Sequence, residues 1–354
     1  MKALVTGGTG FVGSHLIAAL RDAGDDVRAI VRSEKKRVEV ESLGAEPVPA
    51  DLDDADSLVR ACESCDVVYH AAARVEIVGS ESEFQRTTVD GTRRVLEAAA
   101  ANRVGRFVQV SSCGIYHPKL FKSGQEIDEF TPTPMPPAWF PYGRAKLRAE
   151  ELVRQSCPPE MEWVIVRLGY LFGPGNRTMK THVEPAMRDK MMSLVGSGDN
   201  EMAMVYVADV ARAIMLAGRV PKAARQILIA AGFERVTQRQ YFDAMADCFG
   251  IPRVTRRTPY WLAFLAGMVG ERIFRKSPRR DSIRRSAVAL TGLPQRVSCR
   301  HTQELIGWKP EVTFADGMCR AVEWFRAEYG GEPSSFAPAR DSQMKSRKAL
   351  RSDA

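Results

Sequence analysis

Short apolar runs, separated by longer stretches of helical periodicity, recur along the first half of the chain. Residues 3–6, 27–31, 46–50, 66–70, 106–111 and 163–167 predict strands, with helices between them. The runs are rich in valine and isoleucine and lack in-out alternation, which is the pattern of strands buried on both faces. Strand-helix repetition of this kind implies a parallel sheet with right-handed crossovers. The expected fold class is α/β, a doubly wound parallel sheet.

The regularity fades after residue 168, although 204–218 again predicts a short strand running into a helix, one that returns to the first domain. With 354 residues the chain exceeds the usual single-domain size. It divides into a first domain over 1–168, with 204–218 added to it, and a smaller C-terminal α/β lobe over 169–330. The polar, basic stretch 331–354 holds too few apolar side chains to offset the entropy of ordering, and predicts a disordered tail. Segment 131–141 contains five prolines just before Tyr142, and predicts a stiff, irregular loop ending at a helix start.

Composition narrows the function classes. Apolar residues make up 45% and charged ones 27% of the chain, an ordinary soluble balance, and no run approaches the roughly 20 apolar residues of a membrane span. Met1 and Lys2 lead directly into a strand and a glycine turn, so the expected location is cytoplasmic. Seven cysteines, an odd number, argue for reduced thiols. Cys62 and Cys65 form a C-x-x-C pair at the end of a helical run, where neither zinc nor redox chemistry expects it, and read as structural. His117, His182 and the other histidines lack metal-ligand spacing, so no metal is assigned. The net charge is +8, but residues 253–309 alone carry thirteen Lys/Arg against three Asp/Glu. No nucleic-acid-reading module accompanies that basic patch, and no nucleic-acid partner is expected.

Thr6-Gly7-Gly8-Thr9-Gly10-Phe11-Val12-Gly13 follows the first strand and opens a helix that Gly24 ends. Glycines there permit a tight turn and close backbone approach to a pyrophosphate, whose charge the free N–H groups and the helix dipole stabilise. The second strand ends at Arg32-Ser33, without the acidic residue that binds the ribose hydroxyls of NAD. A guanidinium there suits the 2′-phosphate of NADP, with Lys35, Lys36 and Arg37 reinforcing the field. NADP is the expected cofactor, with NAD as the alternative.

Tyr142-Gly143-Arg144-Ala145-Lys146 sets Tyr142 and Lys146 one helical turn apart. An adjacent ammonium and a cationic nicotinamide would lower the phenol's pKa and let Tyr142 relay a proton. Ser112, at the C-terminal end of a strand, stands where open α/β sheets bind ligands, and would orient and polarise a substrate oxygen.

In their joint order these residues resemble the extended short-chain dehydrogenase/reductases, within the NAD-dependent epimerase/dehydratase superfamily, over most of residues 1–330. Further matches are Asp51-Leu52, His70-Ala71-Ala72-Ala73, the segment Val110-Ser111-Ser112-Cys113-Gly114-Ile115-Tyr116, the stretch 167–175, and Tyr206-Val207-Ala208-Asp209-Val210. The resemblance implies a Rossmann fold. It implies that Asp51 and Leu52 flank the adenine, that Ala71, Ala72 and Ala73 pass beside the cofactor, that Lys146 also holds the nicotinamide ribose, and that Tyr142 is the general acid in reduction. Thr88, where the family commonly has Asn, and Leu168, where Pro is frequent, depart from the pattern.

Nucleotide-sugar epimerases and dehydratases share this framework. They typically have Asn where Tyr170 stands, and Arg-Asp where Met202-Ala203 stands. The apolar stretch 259–270 with Glu271, and Leu305-Ile306-Gly307-Trp308-Lys309-Pro310, look like the 3β-hydroxysteroid dehydrogenase branch, with dihydroflavonol reductases and long-chain β-keto acid reductases as relatives. The branch implies ketone/secondary-alcohol interconversion on a hydrophobic substrate. The alternatives are an epimerase/dehydratase and a non-catalytic dinucleotide sensor or assembly factor; the latter usually loses the tyrosine or lysine. Family resemblance also implies a homodimer. Tyr260-Trp261-Leu262-Ala263-Phe264-Leu265, beside Arg272, Arg275 and Lys276, reads first as a helix closing the substrate pocket and second as a peripheral membrane contact.

Overall fold

The computed structural model describes residues 1–74, 80–177, 192–273 and 284–329. His182, Arg275, Lys276 and the tail 331–354 lie outside them. Seven strands form one parallel sheet: β1 (Lys2–Thr6), β2 (Asp26–Val31), β3 (Glu46–Pro49), β4 (Val67–His70), β5 (Arg106–Ser112), β6 (Glu162–Leu168) and β11 (Gln226–Ala230). Their order is β3-β2-β1-β4-β5-β6-β11, every pairing parallel. The order reverses between β1 and β4, the crevice where such sheets bind ligands. Six of these strands correspond to the six sequence runs. The seventh, β11, has no counterpart among them.

Both faces of the sheet are covered. Ala3, Val5, Val67, Tyr69, Val108 and Val166 pack with Leu16 and Ile17 of α1 (Phe11–Asp22) and Val210 and Ile214 of α8 (Val207–Arg219). The intervening Leu4, Val68 and Phe107 face the other way, onto α3 (Ala55–Ala61), α5 (Gly91–Ala101) and α7 (Pro141–Ser156). Each fully buried valine or leucine contributes about 1.5–3 kcal/mol to this core. Strand β3 carries Pro47 and Pro49, tolerated because it is the sheet's edge and needs N–H donors on one side only.

The segment 204–218 divides between two structures. Its helix α8 packs beside α1 on the main sheet, while its strand β10 (Met204–Tyr206) pairs instead with β7 (Tyr170–Phe172). Beyond β6 lie two further two-stranded pairs, β8 (Leu194–Val195) with β13 (Arg257–Thr258) and β9 (Glu201–Met202) with β12 (Val236–Thr237), and the helices α9 (Gln238–Phe249), α10 (Tyr260–Ile273), α11 (Arg285–Gly292), α12 (Arg300–Ile306) and α13 (Phe314–Tyr329). Two sequence motifs far apart meet here. The Trp308 indole donates to the Asp209 carbonyl at 2.8 Å, and the Asp209 carboxylate accepts from the N–H groups of Glu311 and Val312. Cys62 and Cys65 are buried free thiols just after α3; burial pushes Cys62 up to about 12, which makes it unreactive. His117 caps the short helix α6 (Pro118–Lys122), its Nδ1 accepting from Lys119 N–H. Among the described residues, no helix is long and apolar enough to cross a membrane.

Candidate functional site

The glycine turn joins β1 to α1 at the sheet's reversal point. Gly7 has φ +71°, and a Cβ there would meet the Ala72 backbone nitrogen at 2.8 Å. A Cβ on Gly13 would lie 2.1 Å from the Gly7 carbonyl oxygen. Only glycine permits this closeness. Gly10 caps α1 without any side-chain hydrogen bond, so Phe11, Val12 and Gly13 open the helix with backbone N–H groups uncapped by a side chain. Gly8 and Thr9 complete the turn. A glycine-rich cradle with no capping side chain, at the positive end of a helix dipole, fits the pyrophosphate of a dinucleotide. Gly175 packs over the Phe11 ring, and His15 bonds the Pro174 carbonyl, so the segment after β7 closes over the start of α1.

A buried network fixes the next wall. The Thr92 hydroxyl donates to the Thr88 carbonyl at 2.6 Å, so towards His70 Nε2, 3.0 Å away, it accepts. His70 therefore carries its proton on Nε2, and its Nδ1 accepts from the Thr6 hydroxyl at 2.7 Å. Thr6 in turn accepts from the Ala72 N–H, which anchors Ala71, Ala72 and Ala73 beside the glycine turn. Burial, with Lys146 nearby, pushes His70 down to about 3, so it stays neutral. Thr88, the departure from the family pattern, sits in a π-helical segment (Gln85–Asp90) between α4 (Glu81–Phe84) and α5, and its carbonyl accepts from the Thr92 hydroxyl four residues on. In the sequence, neither Thr6 nor Thr92 is assigned a role of its own.

Arg32 follows β2 and Asp51 follows β3, and their charged groups stand 4.0 Å apart, both well exposed. Leu52 packs against Gly91 at the start of α5. Lys36 and Arg37 are engaged on α2 (Glu34–Ser42) with Glu39 and Glu41, whereas Arg32 and Lys35 are exposed and not held within that helix.

Ser112 and Tyr142 converge around Gly114. A Cβ on Gly114 would meet the Ser112 Oγ at 3.2 Å and the Tyr142 ring at 3.4 Å. Ser112 Oγ accepts from the Gly114 N–H at 3.0 Å. The approach depends on a second glycine, because a Cβ on Gly143 would lie 2.7 Å from the Gly114 carbonyl oxygen. Pro141, at the first position of α7, starts the helix that presents Tyr142. One turn on, the Lys146 ammonium is buried and donates to the Val110 carbonyl at 2.8 Å. Burial pulls it down to about 8, against the opposing pull of Glu150.

The expectation for the phenol included a bound cationic nicotinamide; in the protein alone, burial decides its direction. Burial raises Tyr142 above its ordinary value, and the opposing hydrogen bond from Ser112 is the smaller effect. The Lys146 ammonium does not lower it here, because that group is turned to Val110.

Below Lys146 the Arg167 guanidinium, almost fully buried, bonds Glu150 at 2.8 Å and the Tyr116 hydroxyl at 2.8 Å. Aromatic rings wall the opposite side: Phe140 lies 6.2 Å from Tyr142, and Trp139 6.1 Å from Phe140, centroid to centroid. Both belong to the proline-rich loop and were not singled out by sequence. Tyr170 packs against Tyr241 of α9.

Residues 3–230 match the profile of the NAD dependent epimerase/dehydratase family. The chain belongs to that family. It is an enzyme of the extended short-chain dehydrogenase/reductase type, as the resemblance implied. It is 30% identical over 323 residues to a 4-hydroxy-2-methyl-3-oxo-4-farnesyl-3,4-dihydroquinoline-1-oxide ketoreductase of Stigmatella aurantiaca, covering 90% of this chain and 95% of that one. It is 26% identical over 330 residues to a 2-alkyl-3-oxoalkanoate reductase of Stenotrophomonas maltophilia, covering 90% and 98%. The fold is shared with MoeE5 in complex with UDP-glucuronic acid and NAD, at TM-score 0.70 and 23% identity, covering 93% of this chain and all of that one.

Proposed function

We propose that this enzyme reduces a ketone on a hydrophobic substrate to the secondary alcohol with NADPH. The observation that carries the reading is the convergence of Ser112 and Tyr142 on Gly114, at the sheet edge beside the glycine cradle, against an aromatic wall of Phe140 and Trp139. Residues 1–168, with α8, would hold the dinucleotide, and 169–330 would shape the substrate site. The two reductases with the similarities given above are named for ketone substrates, one of them farnesylated. MoeE5, the structural likeness, was seen with a nucleotide sugar, but at 23% identity it speaks for the fold.

A nicotinamide bound at this site would be the source of the hydride that the carbonyl carbon receives. Ser112 donates a hydrogen bond to the carbonyl oxygen and polarises it. Tyr142, which burial keeps protonated, donates its proton to that oxygen as negative charge develops there. Lys146, on the same face of α7, would turn from the Val110 carbonyl to hold the nicotinamide ribose, bringing positive charge toward the phenolate that Tyr142 becomes. Gly7, Gly8, Thr9, Gly10, Phe11, Val12 and Gly13 hold the pyrophosphate. Asp51 and Leu52 flank the adenine, and Ala71, Ala72 and Ala73 line the path of the cofactor. Arg32 takes the 2′-phosphate, since its exposed guanidinium ends β2 and only Asp51, at 4.0 Å, competes for it.

The test follows NADPH and NADH absorbance with β-keto acids, ketosteroids and flavanonols, with UDP- and GDP-sugars and product analysis in parallel. NADPH consumption on an apolar ketone, reduced about 10²–10⁴-fold in Tyr142→Phe, is expected. Epimerised or dehydrated sugars formed without net cofactor change would replace this reading with the epimerase one.

A further inference from the structure

Helix α10 has its apolar side turned outward. At about 100° per residue, Trp261, Leu262, Leu265, Met268, Val269 and Ile273 fall on one arc about 140° wide. All six are exposed, Trp261 at 67% and Ile273 at 68%. The opposite side meets the protein through Gly267 and Gly270; a Cβ on Gly267 would lie 2.7 Å from the Arg285 nitrogen, so the helix backbone sits directly against the segment entering α11. Soluble helices show water their polar side. This one keeps its small residues inside and leaves its large apolar ones in water, an arrangement that needs a partner.

The charges around it indicate which partner. Arg272 falls within the exposed arc near its C-terminal end, and exposed Arg256 and Arg257 precede the helix. The exposed Lys122 ammonium stands 5.3 Å over the Tyr260 ring at its start. The helix's single acid, Glu271, is turned inward and bonded to Arg285 at 2.6 Å, so it presents little negative charge outward. An apolar face bearing tryptophan and leucine, rimmed by basic residues, matches the interfacial zone of an anionic bilayer. A second copy of this chain would set the same basic rim against itself.

The inner side of the same helix leads to the candidate site. The Phe264 ring lies 5.3 Å from Trp139, which continues through Phe140 to Tyr142. We propose that α10 docks the enzyme on an anionic membrane surface, and that the hydrophobic substrate enters from the bilayer along the Phe264–Trp139–Phe140 wall. The second half rests on the reductase reading above; the docking itself does not.

The test is flotation of the full chain with vesicles of phosphatidylcholine alone and of phosphatidylcholine mixed equally with phosphatidylglycerol. The protein should float with the mixed vesicles and be released by 0.5 M salt. Trp261→Ser combined with Leu265→Glu should lower the bound fraction at least about tenfold. The same variant should leave NADPH binding, followed by fluorescence, unchanged, which shows that it folds. Loss from the vesicles with cofactor binding intact supports the proposal. Wild-type protein that stays with the soluble fraction, or a variant that floats as well as wild type, overturns it. So does a dimer, seen by sedimentation, that these substitutions dissociate. Flotation scores the membrane surface and absorbance scores the reductase, so each can fail alone. Entry from the bilayer requires in addition that kcat/KM for a vesicle-embedded long-chain β-keto ester fall in the variant while that for a short water-soluble one is kept; equal effects on both would defeat it.

Discussion

The Lys146 ammonium is bonded to the Val110 carbonyl at 2.8 Å, which ties α7 to the strand that carries Ser112. Burial holds its pKa near 8, well below the ordinary 10.5. The charge is therefore present below about pH 8 and lost above it. If Lys146 holds the nicotinamide ribose, kcat/KM for the reduced cofactor should fall as pH rises through that range, and Lys146→Met should abolish this limb while lowering kcat. A pH profile of single-cofactor kinetics checks it; an unchanged limb in the variant would assign the titration elsewhere.

The same shift has a sign for stability. A lysine with a depressed folded pKa binds its proton more weakly in the folded chain, so the folded state bears a cost that is full below about pH 8 and fades as pH approaches 10.5. Lys146→Met should then be more stable than wild type at pH 7, by on the order of 2 kcal/mol, with the difference shrinking in alkali. Urea denaturation at pH 7 and pH 10 measures both. A variant less stable at pH 7 would show that the bond to Val110 outweighs the burial.

Arg32 faces Asp51 at 4.0 Å with both side chains well exposed, so it is held only weakly and free to take an anionic ligand. Arg32→Asp should raise KM for NADPH at least about tenfold, from the loss of charge-assisted hydrogen bonds of about 1.5–3 kcal/mol, and shift preference toward NADH. Unchanged selectivity would remove Arg32 from the cofactor site.

The buried Arg167 and Glu150 make a different prediction, because neither reaches solvent. Glu150→Gln leaves the guanidinium without its counter-ion, and should cost about 3–5 kcal/mol of stability. Glu150 also opposes the effect of burial on Lys146, so the pH limb of the variant should move below about 8. A stability loss with an unmoved limb would make the pair purely structural.

What the sequence disclosed was local. The glycine turn, the tyrosine and lysine one turn apart, and six strands each announce themselves within a few residues. Strand β11 did not, because Gln226–Ala230 is a short apolar run in a stretch without strand-helix rhythm, and only pairing with β6 identifies it. Tertiary contacts hid the rest. The Thr6–His70–Thr92 network joins three elements distant in sequence, and the wall from Phe264 to Phe140 joins a helix to a proline-rich loop. Spacing shows that Lys146 is near Tyr142, but not that its ammonium is turned to Val110.

Gly143 separates positioning from chemistry. It lies between Tyr142 and the rest of α7, and a Cβ there would stand 2.7 Å from the Gly114 carbonyl oxygen and 3.1 Å from the Phe140 ring. The Gly114 carbonyl is backbone next to Ser112 and has little room to withdraw. Gly143→Ala must therefore move the start of α7 away from β5, widening the gap between Tyr142 and Ser112 without altering either group. Alanine favours helix over glycine by about 1 kcal/mol, which offsets part of the strain. A misplacement of about 1 Å can cost on the order of 100-fold in rate. The expected outcome is a folded variant that binds NADPH normally and has kcat lowered by about that factor. Wild-type kcat would show that α7 and Gly114 accommodate the methyl group, and that their close approach does not set the position of the phenol.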